Sequence, residues 1–268
     1  MISITHIISY LLAVFVGITL GLIGSGGSIL SVPILVYVVG IEPVLATAYS
    51  LFVVGTTALF GGLQKAKQKL VDFKKVVLFG VPTIIAVFVT RKLIVPSIPE
   101  IIISSSTFTL KKSVLIMVLF AVVMIFASVR MIKPLKEKII NENTKLNYLA
   151  IFTQGLFIGF IAGFVGAGGG FLIIPALLFL TRTPMKMAVG TSLIIVSAQS
   201  LIGFIGDIRP EQKLDWNLLL IFTTCSIIGV IIGSFLSKKI EGEKLKTGFG
   251  WFVLVMGIYI IIKEIFLK

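Results

Sequence analysis

Ten apolar runs recur along this chain, five in each half, separated by polar stretches rich in lysine. In the first half they are A (Ile2–Ile23), B (Ile29–Val39), C (Val44–Leu63), D (Val76–Val95) and E (Val114–Ile132). In the second they are A′ (Leu146–Val165), B′ (Phe171–Leu180), C′ (Met187–Ile205), D′ (Trp216–Leu236) and E′ (Gly248–Phe266). Several reach the roughly 20 residues with which an α-helix crosses about 30 Å of hydrocarbon. None alternates polar and apolar residues as a membrane barrel strand would. The pattern predicts an all-α polytopic membrane protein.

Sliding the chain by 142 residues lays one half on the other. Gly17, Gly21, Gly24, Gly26, Gly27, Leu30 and Pro33 then fall on Gly159, Gly163, Gly166, Gly168, Gly169, Leu172 and Pro175. Ala46, Ser50, Leu51, Val54, Leu59 and Gly61 fall on Ala188, Ser192, Leu193, Val196, Leu201 and Gly203. Such matching marks a duplication, with a first repeat at 1–132, a cytoplasmic linker at 133–145 and a second repeat at 146–268, all within one integral membrane domain. An odd number of segments per repeat turns the second upside down, and loop charge tests this. Sixteen of the 24 Lys and Arg residues fall on one implied side, in the C–D, E–A′, B′–C′ and D′–E′ loops. That side is expected to be cytoplasmic, with both termini outside.

B and B′ hold only 10 to 11 apolar residues, roughly 15 to 17 Å of helix, too short to span alone. They either extend through the glycines before them as tilted helices or form re-entrant hairpins with A and A′. The pairs Gly17/Gly21, Gly159/Gly163 and Gly229/Gly233 have the GxxxG spacing of close helix packing. From spacing alone, Gly229→Ala is expected to leave transport largely intact. Packing does not explain the runs Gly24-Ser25-Gly26-Gly27-Ser28 and Gly166-Ala167-Gly168-Gly169-Gly170, which are poor helix formers. A half-helix starting just after such a run directs free N–H groups and its positive dipole end into the break, where an anion fits. Two inverted breaks would face each other near the bilayer midplane. Ser50, Thr191, Ser192 and Gln199 are the further candidates for substrate binding, in the polar stripes of C and C′.

Composition narrows the chemistry. The chain is 57% hydrophobic and 13% charged, with a mean hydropathy of +1.13, too greasy for a soluble domain of 268 residues. Its net charge of +13 lies mostly between the apolar runs and suits anionic lipid, not nucleic acid. One cysteine, Cys225, and one histidine, His6, leave no thiol pair and no metal-ligand cluster. No nucleotide-binding GxxxxGK[ST] motif is present. No Asp, Glu, Lys or Arg lies in the middle of a segment; Arg91 and Lys92, near the end of D, count among the outer charges. The expectation is a non-enzyme without cofactor or metal, whose partners are the bilayer and a small anion. Monomer and homodimer both stay open. Asp72-Phe73 and Asp215-Trp216 read as N-caps with an interfacial aromatic.

GLIGSGGSILSVP and GFVGAGGGFLIIP, with ATAYSLFVVGTTALFGG and AVGTSLIIVSAQSLIGFIGD downstream, resemble the sulfite exporter TauE/SafE family of membrane permeases over essentially the whole chain. The resemblance implies a transporter of sulfite, an organosulfonate or another small organic anion at the cell membrane. Alternating access and a passive anion channel of the same architecture both fit.

Overall fold

The computed structural model describes residues 4–104, 109–133, 148–166, 168–180, 183–208, 214–237 and 242–266. Every apolar run becomes a helical element. A is α1 (Ile4–Ile23) and C is α3 (Pro43–Lys67). Between them, B is α2, a 3-10 turn over Ser25–Leu30, an α turn over Ser31–Pro33 and a π segment over Ile34–Val38. D is α4 (Phe73–Val89), continued by a π segment (Thr90–Ile94) and a last turn (Val95–Ser97). E is α5 (Lys112–Ile132) and A′ is α6 (Tyr148–Val165). B′, C′, D′ and E′ are α7 (Gly170–Leu180), α8 (Met185–Asp207), α9 (Trp216–Leu236) and α10 (Gly242–Phe266). Six of these are long and apolar enough to cross a membrane among the described residues. The linker beyond Lys133 lies outside those residues.

Polar caps start the long helices. Asp72 accepts from the Lys75 N–H at 3.2 Å and Asp215 from the Leu218 N–H at 3.0 Å, as the sequence predicted. Glu42 does the same for α3, with Pro43 at its first position. One element was not foreseen. A short antiparallel hairpin joins Ile101–Ser104 to Thr109–Lys111 between α4 and α5, pairing Ile101 with Lys111 and Ser104 with Thr109. Its β-branched run, Ile101 to Ile103, was the available signal.

Helix pairing runs across the two halves. The most extensive contacts are α1 with α9, α3 with α8, α5 with α10 and α4 with α6. In each pair one helix comes from each repeat. Gly17 and Gly21 press on the backbone of Ser226, Val230 and Gly233, while Gly229 and Gly233 press on that of Val14 and Ile18. The two GxxxG faces therefore meet each other, and the Ser226 hydroxyl donates to the Ala13 carbonyl at 3.0 Å across the seam. Gly155, Gly159 and Gly163 make the matching seam against Pro82, Thr83 and Thr90 of α4. Both glycine seams are parallel crossings. By contrast, Gly55 faces Leu201 and Gly62 faces Ile194, so α3 and α8 cross antiparallel. These two are the central helices, with 67% of each apolar stretch buried against 39% for α4 and α6. Outer faces such as Leu11, Val77, Phe157, Ile228 and Val255 are apolar and exposed, as lipid contact requires.

The seam overturns the expected tolerance at Gly229, because a methyl group there would run into the Val14 carbonyl. Gly229→Ala should lower the melting temperature in detergent, by an overpacking cost of about 1–3 kcal/mol that outweighs its better helix propensity. Gly248, with nothing within 4 Å of an added Cβ, is the control whose alanine variant should melt like the parent. Equal melting of the two variants would show that α1 and α9 do not touch here.

Candidate functional site

Two glycine breaks reach the central pair from opposite ends. Gly24, with φ of 77°, rests on Val189 in the first turn of α8. Gly166, with φ of 69°, rests on Thr47 in the first turn of α3. Only glycine holds such a left-handed bend without strain, which explains why both breaks begin on one. Because α3 and α8 are antiparallel, Gly24 and Gly166 stand near opposite ends of the pair and do not face each other as expected. From Gly166 the chain descends to Gly168, which lies against Val54, Val196 and Ser200 halfway along the central helices. α7 then starts at Gly170, the last residue of the run and one before the expected Phe171. In the first repeat the helical path instead begins at Ser25, inside the run, so Gly26, Gly27 and Ser28 belong to a 3-10 turn. Ser28 is buried. Ala167 and the Ser25 side chain lie outside the described residues.

The hydroxyl candidates divide into two kinds. Thr191 accepts the Asp72 N–H at 3.0 Å, and its counterpart Tyr49 accepts the Asp215 N–H, so both anchor the start of a neighbouring helix. Ser192 donates to the Val189 carbonyl at 2.9 Å, back along its own helix. Ser50, Thr57 and Ser200 are buried hydroxyls with no hydrogen-bond partner among the described residues. Gln199 donates its amide to the Gly168 carbonyl and leaves its own carbonyl oxygen unpartnered. Thr57, Gln199, Ser200 and Gly168 thus share one level of the α3–α8 pair. Buried polar atoms left unpaired cost roughly 1–3 kcal/mol each, so such a cluster is a candidate place for a bound water or solute.

Sequence reasoning missed the residue that dominates the electrostatics. Arg91, counted as an outer loop charge, is fully buried. It sits in the π segment that ends α4, where the Val95 N–H reaches back five residues to the Thr90 carbonyl. Pro96 just beyond it, and the placement of Arg91 within segment D, were the signals. Arg91 Nη1 donates to Asp207 Oδ2 at 2.8 Å and to Thr47 Oγ1 at 2.9 Å. Thr47 spends its own proton on the Val44 carbonyl at 2.7 Å, which turns a lone pair toward the guanidinium. A methyl group added at Gly166 would stand 2.7 Å from Arg91 Nη2. The second glycine break is therefore pressed against a buried cation. Among the described residues no three His, Cys, Asp or Glu side chains come together as a metal site.

The sulfite exporter TauE/SafE family matches residues 9–260. The chain belongs to this family. A probable membrane transporter protein of Xylella fastidiosa (strain 9a5c) is 31% identical over 257 residues, covering 92% of this chain and 91% of the relative. The probable membrane transporter proteins YunE and YjnA of Bacillus subtilis (strain 168) are 24% and 29% identical, covering 96% and 94% of this chain and 99% and 98% of theirs. No solved structure matches. For a TauE/SafE protein the glycine runs, the central helices and the interrepeat seams form one multi-pass membrane unit.

Stability and function should separate at the two kinds of hydroxyl. Thr191→Val removes the acceptor of the half-buried Asp72 N–H and should cost about 1 kcal/mol in melting experiments while leaving substrate affinity in place. Ser50→Ala removes an unpartnered hydroxyl and should leave melting nearly unchanged but weaken transport. The reverse pattern would move the site away from Ser50.

Proposed function

We propose that the protein is a secondary transporter that exports a small sulfur-containing or organic anion, such as sulfite or an organosulfonate, across the cell membrane by alternating access. The observation that carries this reading is the second glycine break, which approaches a fully buried arginine at one end and the unpartnered Ser200 hydroxyl at its deep end. Donors and backbone at close range, with few fixed negative charges, suit an anion. Gly24, Ser25, Gly26, Gly27 and Ser28 form the matching stretch of the first repeat and Ala167 completes the second. Ser50, Thr57, Thr191, Ser192, Gln199 and Ser200 are all fully buried, an occluded arrangement that favours a carrier over a passive channel. The chemistry is translocation, not catalysis.

The two repeats are inverted in this reading, at 1–132 and 146–268. Antiparallel α3 and α8, together with parallel glycine seams, support it. Positive-inside counting then puts both termini outside, the Lys65 end of α3 in the cytoplasm and the Arg91–Asp207 end outside. In a Cys225→Ala background, a cysteine at Glu42 should be labelled by an impermeant reagent from outside and one at Lys67 should not. Labelling of Lys67 from outside would overturn the inverted arrangement.

An inside-negative potential drives anion efflux by about 2.3 kcal/mol per charge per 100 mV. Proteoliposomes should show saturable sulfite or sulfoacetate flux, stimulated by the same anion on the far side. Gly26→Val and Gly168→Val should abolish that flux, and Gly168→Val should also lower the melting temperature, since Gly168 has φ of 66° and an added Cβ would stand 2.7 Å from Ser200 Oγ. Unsaturable conductance would favour a channel, and normal flux in both variants would place the anion elsewhere.

A further inference from the structure

The duplicated scaffold carries different chemistry at its two ends. Counterparts of Thr47, Asp207 and Arg91 are Val189, Lys65 and Ser234, the last by a shift of 143 that the glycine seams follow in α4 and α9. At the Lys65 end, the ammonium reaches the Ser237 hydroxyl at 3.3 Å. At the Arg91 end, a guanidinium and a carboxylate pair 2.8 Å apart inside the protein. Arginine offers five N–H donors in a planar fork. Only Nη1 is used: Nε and Nη2 are buried and have no partner among the described residues. That unpartnered edge packs against Gly166, the first residue of the break. Asp207 meets the fork through Nη1 alone, although the fork is built to take a carboxylate with two donors.

From this juxtaposition we infer that Arg91 is the anion-binding cation of the outer half of the pathway, and that Asp207 is an internal anion which a substrate oxyanion replaces on it. The ligand class is a small oxyanion with two acceptor oxygens in one plane, a sulfonate, sulfite or carboxylate, bound across Nε and Nη2 from the Gly166 side. Thr47 holds Nη1 throughout and keeps the fork in register. An arriving oxyanion weakens the Arg91–Asp207 contact, which ties the π end of α4 to the last residue of α8. Binding and loosening of that end are then one event. Removal of a partner from a buried ion pair leaves an uncompensated charge, whereas removal of both does not.

The inference rests on the transport reading, and purified full-length protein separates the two. Dissociation constants for sulfite and for sulfoacetate would be measured by ligand-dependent melting in detergent, with flux in proteoliposomes as the second readout. Asp207→Asn should melt lower than the parent without anion, recover on adding either anion, and bind it about tenfold more tightly. Arg91→Gln/Asp207→Asn should melt close to the parent yet bind at least tenfold more weakly and lose flux. Arg91→Lys, which keeps charge but not the fork, should fall between. A double variant with parental affinity and flux would overturn the role of Arg91 while leaving the transport reading intact. Parental affinity in Asp207→Asn would overturn the competition. If the parent protein neither binds nor moves any of these anions, the transport reading fails and takes this one with it.

Discussion

Close approach of helix backbones at the two glycine seams sets the geometry of everything else. In hydrocarbon there is no hydrophobic force to drive helices together, so contact depends on dispersion between surfaces that fit and on hydrogen bonds across them. Gly17, Gly21, Gly229 and Gly233 remove the side chains that would hold α1 and α9 apart, and Gly155, Gly159 and Gly163 do so for α6 and α4. Each seam joins a helix of one repeat to a helix of the other. Neither repeat can therefore fold its glycine face without its partner, and the central α3–α8 pair is held between two such clamps.

That clamping explains how a protein of this composition tolerates irregular backbone. A 3-10 turn, two π segments and four left-handed glycines, Gly24, Gly166, Gly168 and Gly169, lie within the apolar part of the chain. Backbone groups freed at such points must find partners inside the protein. Here they do so beside helices already fixed by the seams: Ile41 N–H reaches the Leu35 carbonyl at 2.9 Å past the first π segment, and Gln199 covers the Gly168 carbonyl. Rigid seams and irregular breaks divide the work, with the seams supplying stability and the breaks, in the proposed function, supplying the backbone that meets the solute.

Much of this architecture was legible because lipid enforces a simple code. Run length gave all ten helical elements, with D′ matched to the residue at Trp216 and Leu236, and the GxxxG spacing gave the seams. What stayed hidden depends on distances between residues far apart in sequence. Arg91 reads as an interfacial charge until α8 brings Asp207 beside it, 116 residues away. Thr191 and Ser50 look alike in sequence, yet an N–H from the α4 cap claims one and nothing among the described residues claims the other. The tolerance expected at Gly229 meets a close contact with the Val14 carbonyl for the same reason, since spacing shows that a helix packs but not how closely its neighbour comes.

Duplication constrains the backbone far more tightly than the chemistry, and the difference between the repeats bears on directionality. Tyr49 and Thr191 perform the same task on Asp215 and Asp72, and the glycines of both breaks begin at equivalent positions, so the two ends of the central pair share these anchors. Charge does not follow that symmetry. One end holds an arginine, an aspartate and a threonine around Gly166, and the other a lysine, a serine and a valine around Gly24. A scaffold with two equivalent halves can exchange inward-open and outward-open states at similar energy, because each state is built from the contacts of the other. In the proposed transport cycle, unequal groups at the two ends would bias which state an anion prefers, since a buried ion pair holds one of them. Breaking a buried ion pair without a replacement anion costs several kcal/mol, so in the proposed cycle an oxyanion arriving at the Arg91 end would shift that balance.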